Sequence, residues 1–501
     1  MSVKREYGDY QTPLDFALKV CTFLKEQKHL NPSMIFEPTC GIGNFLTASK
    51  IFDARKYFGI EINPLYCKIC IENFADERLT VFNENFFTCE SELLPKDSNL
   101  LVIGNPPWAT NSSLSKNLPQ KFNVKNFKGL EALTGASNFD ICEYIISYLI
   151  EKYRDTNTAL AVLCKTSVAR NVFKSLWSRN VPFVRCETFE FDAGKVFGIS
   201  ASACLLFIQL TEENCFPSTC NVYNFDNPEI LKSSFGYRGG KFYSNLSASN
   251  YDIDGESCFE WRQGIKHDCS KIVELTKESG ILKNGYHELV DVEEELIFPM
   301  VKGSAIKIPI IRHFSKYLLV TQKFLGEDTT HLELDAPKAW QYLRKNATTF
   351  KKRKSKIYIN SPQFAMFGIG DYSYLPYKVC IGGFNKEPFF SLIYSEDMKP
   401  VMLDDTAYFL GFDDYDIAYT AMIYLNSIKV REFLQSLSFA DSKRPYTKKI
   451  LSRVDFSKIY HKVSFSELKW TETELNLTNY LTENILENFF DLINSCEQNL
   501  F

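Results

Sequence analysis

Phe36-Glu37-Pro38-Thr39-Cys40-Gly41-Ile42-Gly43-Asn44-Phe45 leaves a short apolar run and enters a helix-forming stretch. Gly41 and Gly43 let the backbone turn tightly and approach a ligand with no Cβ in the way. The third glycine of a dinucleotide fingerprint is missing, because Phe45-Leu46-Thr47 follow. A GxG turn alone occurs in many plain loops. Weight comes from the next strand, Phe58-Gly59-Ile60-Glu61, which ends on an acid suited to both hydroxyls of a ribose. Together they predict an adenosine-containing cofactor. The bland alternative is a simple turn beside a solvated strand-end carboxylate.

Working outward, short apolar runs alternate with amphipathic stretches through the first 210 or so residues. The pattern predicts strands at Met34–Phe36, Tyr57–Ile60, Leu79–Phe82, Leu100–Ile103, Leu160–Cys164, Phe183–Phe189 and Ala203–Gln209. Helices are expected at Leu14–Lys25, Asn44–Ile51, Leu65–Asn73, Phe139–Lys152 and Ser167–Trp177. This alternation is the mark of an α/β domain on a mostly parallel sheet, which binds ligands at the carboxyl ends of its strands. Beyond Glu212 the alternation fades, and the Gly/Ser/Asn-rich stretch Ser233–Asp254 reads as a boundary. Two domains are therefore expected, 1–232 and 233–501, packed together without a low-complexity linker.

Immediately after the fourth strand stands Gly104-Asn105-Pro106-Pro107-Trp108. Two prolines fix φ and remove two backbone donors, so the local carbonyls are rigid. An adenine N6 amine is a poor nucleophile, because its lone pair is delocalised into the ring. The Asn105 amide oxygen and the Pro106 carbonyl can each accept one N6–H, localising that pair and aiming it at an electrophile. Trp108 offers a face on which a flipped base stacks, worth about 1–3 kcal/mol. In isolation the tetrapeptide reads by default as a rigid turn with a half-buried Trp, and its place after the fourth strand of a cofactor-type sheet is what turns the reading.

Composition narrows the setting. With 501 residues the chain is too long for one ordinary core, and 45% hydrophobic content is ordinary for a globular protein. Net charge is −4, so any nucleic-acid binding must rest on local basic patches. The 15 Cys are scattered through apolar runs; Cys67 and Cys70 have CxxC spacing but no second pair at zinc-ribbon distance, and read as buried hydrophobes. The six His are isolated from one another, so no metal site is expected. No leader and no apolar run of spanning length is seen, which predicts a cytoplasmic, reduced protein with no membrane contact.

These motifs resemble the N6-adenine DNA methyltransferases with an N/D-P-P-aromatic motif, in their gamma order: cofactor motifs first, then the catalytic motif, then a C-terminal target-recognition domain. The resemblance covers residues 7–210. It implies a class I methyltransferase fold, Rossmann-like with a seven-stranded sheet, and a C-terminal mixed α+β recognition domain. It implies S-adenosylmethionine as methyl donor. Tyr7-Gly8-Asp9-Tyr10-Gln11-Thr12-Pro13 resembles the segment that caps the methionine end of the cofactor, with Tyr10, Thr12 and Pro13 as contacts. Glu37, Thr39, Cys40, Gly41 and Gly43 match the glycine loop, Glu37 lying near the sulfonium and amino group. Glu61 matches the ribose-binding acid, with Ile62 beside it. Asn85 stands where the family has an Asp that accepts from the cofactor's adenine, followed by Phe86; Asn105 and Pro107 adjoin the cofactor. Asn138-Phe139-Asp140-Ile141 resembles the helix motif lining the substrate side. In Gly194-Lys195-Val196-Phe197-Gly198-Ile199-Ser200, Phe197 is the candidate for a second face on the base, with core Phe as its plain alternative.

The C-terminal half resembles the recognition halves of restriction-modification methylases through Trp261–Ser270 and Phe367–Ser373. Its basic runs supply candidate DNA contacts: Lys351, Lys352, Arg353 and Lys354 for phosphates, Arg444 and Lys448 for a groove. The expected partner is double-stranded DNA, and the expected protein a monomeric prokaryotic adenine methylase. It would serve as the modification part of a restriction system whose nuclease, if there is one, is a separate chain. The same tetrapeptide chemistry serves RNA adenine and protein glutamine methylation, and a non-catalytic DNA-binding module is the third reading.

Overall fold

The computed structural model describes residues 10–89, 94–95, 99–109, 140–248 and 250–498. Two compact units divide the chain, Met1–Ser247 and Ala248–Phe501.

In the first unit the strands are β1 (Met34–Glu37), β2 (Lys56–Ile60), β3 (Leu79–Phe82), β4 (Leu100–Gly104), β5 (Ala159–Lys165), β6 (Phe183–Asp192), β7 (Ser202–Leu210), β8 (Thr219–Asn224), β9 (Asn227–Arg238) and β10 (Lys241–Tyr243). Their order in one sheet is β10-β9-β8-β6-β7-β5-β4-β1-β2-β3. Within it, β3-β2-β1-β4-β5 are parallel, and β7 runs antiparallel between β5 and β6. The central strands are near-continuous apolar runs because helices cover both faces; β4 is buried along its whole length.

The helices are α1 (Leu14–Glu26), α2 (Asn44–Ala48, continued by one 3₁₀ turn), α3 (Pro64–Phe74), α4 (Ile141–Lys152), α5 (Thr166–Ser178) and α6 (Ala193–Phe197). Local chemistry sets their starts. Asn63 caps α3 by accepting the Leu65 N–H at 3.0 Å, with Pro64 at the first helical position. Asp140 caps α4 by accepting the Cys142 N–H at 3.0 Å.

Two expectations are corrected. The sheet has ten strands, not seven: β8, β9 and β10 extend it beyond β6. β9 is mostly exposed and carries Gly236 at φ +155°, so it lacks the hydrophobic alternation that marks a strand. For the same reason the division does not fall at 232/233. Ser233, Ser234 and Gly236 pair with β8, and Tyr237 and Arg238 pair with β10, so they stay with the first unit.

The second unit is mixed α and β. One sheet orders β11 (Arg262–Gln263), β20 (Ala407–Phe412), β17 (Tyr377–Gly382), β18 (Ser391–Ile393) and β15 (Ile310–Ile311). Another orders β13 (Ile281–Lys283), β12 (Glu274–Glu278), β16 (Lys316–Leu319), β14 (Ile297–Val301) and β19 (Met402–Leu403). Helices Tyr415–Asn426 and Glu483–Gln498 also belong to this unit. Among the described residues no helix is long and apolar enough to cross a membrane.

Candidate active site

The glycine loop leaves β1 and reaches α2 through Gly41 (φ +52°) and Gly43 (φ +80°). A Cβ on Gly43 would lie 2.4 Å from Cys70 Sγ, so no other residue fits that turn. Glu61, at the tip of β2, accepts the Gly41 N–H at 2.9 Å through Oε2 and the Asn63 N–H at 2.8 Å through Oε1. The segment before α1 closes over the loop: Asn44 donates to the Thr12 carbonyl at 2.8 Å, and Gln11 accepts the Ile42 N–H at 3.2 Å. Pro13 is the residue from which α1 starts.

Glu37 is 3% exposed, and burial pushes its carboxyl well above the usual carboxylate range, with nearby Cys70 and Glu61 adding to the shift. Gly104, at the end of β4, has φ +152°, and a Cβ there would meet Glu37 Cγ at 3.1 Å. The glycine therefore brings Glu37 hard against the start of the Asn105–Trp108 loop.

That loop is clamped. Asn105 Nδ2 donates to the Tyr10 carbonyl at 2.8 Å, and its Oδ1 is buried with no hydrogen-bond partner among the described residues. Trp108, 7% exposed, donates its indole N–H to the Leu163 carbonyl on β5 at 3.4 Å. Its ring meets Phe197 edge-on at 5.4 Å between centroids, and Tyr10 lies 6.3 Å from Trp108 and 6.2 Å from Phe197. Tyr10 was expected as a cofactor contact; here its ring joins the two aromatics expected for the base, and its carbonyl orients Asn105. Phe197 ends α6, which Asp192 caps by accepting the Gly194 and Lys195 N–H groups at 2.8 and 3.2 Å.

Around this core the remaining candidates take varied places. Cys40 is buried in the glycine loop, and its thiol hydrogen-bonds to Cys70. Pro106 is buried and Pro107 half-buried. Ile62 is exposed beside Glu61. Asn85 Oδ1 accepts the Phe87 N–H at 3.0 Å, and Phe86 is buried edge-on against Tyr148. Tyr7, Gly8, Asp9, Asn138 and Phe139 lie outside the described residues. One charged pair was missed from sequence: Lys165, ending β5, bonds Asp140 at 2.8 Å. A charged residue at a strand's carboxyl end is the signal that would have found it.

In the second unit the segments 261–270 and 367–373 meet. Lys266 and Phe367 exchange backbone hydrogen bonds at 2.8 and 2.9 Å, and a Cβ on Gly368 would lie 2.7 Å from the Gly264 carbonyl oxygen, so glycine permits the approach. Lys351, Lys352 and Lys354 are exposed. Arg353 is not: its guanidinium donates to the carbonyls of Ala365 (2.6 Å), Gln363 (2.9 Å) and Phe350 (3.1 Å) and stacks 3.7 Å over Tyr358. An arginine so committed is poorly placed to hold phosphate, which corrects its assignment as a DNA contact. Arg444 is half-buried over Phe384, and Lys448 pairs with Glu260 at 3.1 Å.

The order β3-β2-β1-β4-β5-β7-β6 with β7 antiparallel, a glycine loop after β1, and Asn-Pro-Pro-Trp after β4 define a class I methyltransferase. Comparison with known proteins makes the family specific. The chain is 41% identical over 469 residues to Type II methyltransferase M.NspV of Nostoc sp. (strain ATCC 29411 / PCC 7524), spanning 90% of this chain and 96% of that protein. It belongs to the type II methyltransferase family. Type II methyltransferase M.CvrRI of Paramecium bursaria Chlorella virus XZ-6E is 24% identical over 167 residues, 33% of this chain and 38% of its own. The DNA complex of the Type IIL restriction-modification enzyme MmeI matches with a TM-score of 0.55 at 14% identity, covering 96% of this chain and 73% of that one. That likeness is one of fold. No family model matches the chain.

The cofactor of this class is S-adenosylmethionine, and the site fits it. Of seven buried side-chain N and O atoms without a hydrogen-bond partner among the described residues, five are on Thr12, Glu37, Thr39, Thr47 and Asn105. Orphaned buried polar atoms are costly and rare, and here they gather around one loop. A buried carboxylate suits a cationic ligand, and the Glu61 carboxylate can accept from a diol.

Proposed function

We propose that this chain is a site-specific DNA methyltransferase that modifies the N6 amine of an adenine flipped out of duplex DNA. Its role is the modification activity of a restriction-modification system, acting as a monomer in the cytoplasm, with any cognate endonuclease on a separate chain. Its first unit is the catalytic domain and its second the target-recognition domain. Membership in the type II methyltransferases supports the DNA substrate; the tetrapeptide supports the adenine amine.

The observation that carries the reading is the state of Asn105. Its Nδ2 is held by the Tyr10 carbonyl, which fixes the amide's orientation, while Oδ1 is buried and unpaired among the described residues. Such an atom is a pre-aimed acceptor for one N–H, and the Pro106 carbonyl accepts the other. S-adenosylmethionine, when bound, supplies an electrophilic methyl group on a sulfonium. Glu37 would face the positive charge of that ligand and Glu61 its ribose hydroxyls, with Thr12, Thr39, Asn85 and Phe86 around them. The two acceptors hold the amine's hydrogens so that its lone pair points at the methyl carbon. Methyl transfer would break the S–CH3 bond of the sulfonium, leaving a neutral thioether, and the amine would give up one proton to water. Positioning and fixed dipoles carry the rate, with no strong base required. Trp108 and Phe197 supply the two faces for the base.

The test is Asn105→Ala. Methyl transfer to unmodified plasmid DNA is expected to fall by at least about 10²-fold, with cofactor affinity changed less than a few-fold. Retained transfer removes Asn105 from the mechanism. Sequencing of DNA from expressing cells should show methylated adenine at one recognition site; methylation of RNA or glutamine alone overturns the reading.

A further inference from the structure

The basic run Lys351–Lys356 is followed by residues that an ordinary solvated surface does not need. Ile357 is 41% exposed and Ile359 73% exposed, and between them Tyr358 turns inward against Phe367, 5.3 Å between centroids. Lys351, Lys352, Lys354 and Lys356 all face solvent. The stretch 351–359 contains five basic residues and no acid, in a chain whose net charge is −4.

This turn is held from inside. Arg353 ties it to three carbonyls across Phe350, Gln363 and Ala365 and lies 3.7 Å over the Tyr358 ring. Ser361 closes the other end by donating to the Ile357 carbonyl at 2.9 Å. A flexible lysine tail would gain phosphate contacts at the cost of ordering itself. A turn already fixed by its own arginine avoids most of that cost. Its two isoleucines are β-branched and stiff at χ1, so they too are presented with little freedom to lose.

We infer that the turn 351–361 is a pre-ordered probe for duplex DNA, in which the four exposed lysines hold phosphates while Ile357 and Ile359 enter the groove against base edges. The partner follows from complementarity: cations flanking an apolar tip match phosphates flanking a groove whose base edges include the apolar thymine methyls. Arg353 is the positioning residue of the probe and touches no DNA. The inference rests on the DNA substrate proposed above and adds which side chains read it.

The two kinds of contact separate by salt. The full chain is compared with Lys351→Gln/Lys352→Gln/Lys354→Gln/Lys356→Gln and with Ile357→Ser/Ile359→Ser, after thermal melts confirm that each is folded. Anisotropy on a random-sequence duplex across salt concentrations reads phosphate contacts. For the lysine variant the log–log salt slope is expected to drop by about 0.9 for each phosphate no longer neutralised. The isoleucine variant should keep the slope of the unaltered protein, yet methylate unmodified plasmid DNA with kcat/KM lower by about tenfold. An unchanged slope in the lysine variant, or unchanged kcat/KM in the isoleucine variant, overturns the probe. A change in oligomeric state of either variant by sedimentation also overturns it, because the patch would then be a protein contact. If the unaltered protein methylates no DNA at all, the functional proposal fails instead, while the salt slopes still report on the turn.

Discussion

At the scale of single residues, Glu37 makes the sharpest demand. Its buried carboxyl is shifted upward, so the folded state holds the proton more tightly than the unfolded chain does. Its contribution to stability is therefore full below the ordinary carboxylate range and lost as pH rises through the shifted value. At neutral pH the ligand-free protein carries a cost that a cationic ligand offsets. Glu37→Gln is expected to raise the melting temperature of the ligand-free protein at neutral pH and to leave it unchanged in acid. The same variant should bind S-adenosylmethionine more weakly, read by titration calorimetry. A lower melting temperature with unchanged affinity would remove Glu37 from the cofactor site. Glu37, Glu61 and Asn105 were legible in sequence because each follows directly from a strand in a motif. That Asn105 leans on Tyr10 was not, since those residues lie 95 positions apart.

At the scale of elements, α6 matters most. It has five residues, too short to persist without its cap, and it ends on Phe197. In this structure Phe197 and Trp108 touch edge to face at 5.4 Å. A base stacked between two faces needs about 7 Å between them, twice the contact distance of stacked carbon atoms, so the rings must separate to admit it. An open groove of about 670 Å³ adjoins α6 and is lined in part by Asp192, Gly198 and Ser202. Asp192→Ala removes the cap at a stability cost of about 1 kcal/mol. Cofactor affinity is expected to hold while kcat/KM for DNA falls more steeply than the stability loss accounts for. With 2-aminopurine at the target position, its fluorescence on binding should change in the same variant. Equal small losses in every measurement would reduce α6 to scaffold. The sequence marked Phe197 as a base contact or a core residue; which rings surround it depended on β4, β6 and the segment before α1 converging.

At the scale of the whole molecule, the division after Ser247 predicts how the chain can be cut. A fragment ending at 247 keeps β8, β9 and β10 paired, and is expected to fold and bind S-adenosylmethionine while failing to methylate DNA. One ending at 232 loses Phe235, buried against Phe173 with ring centroids 5.4 Å apart, together with β10. It should express poorly or melt at lower temperature. Equal stability of the two fragments would show that the β8–β10 extension is not part of this unit's cooperative fold. Sequence alone determined the first seven strands, the glycine loop and the tetrapeptide, because apolar periodicity and the torsional habits of Gly and Pro are local properties. Only the tertiary structure decided that Arg353 points inward, that Tyr10 joins the aromatics around Asn105, and that β9 extends the sheet. Tyr10 and Asn105 lie 95 positions apart; the partners of Arg353 and β9 are nearer in the chain, but there packing and hydrogen-bond satisfaction outweigh what the local pattern prefers.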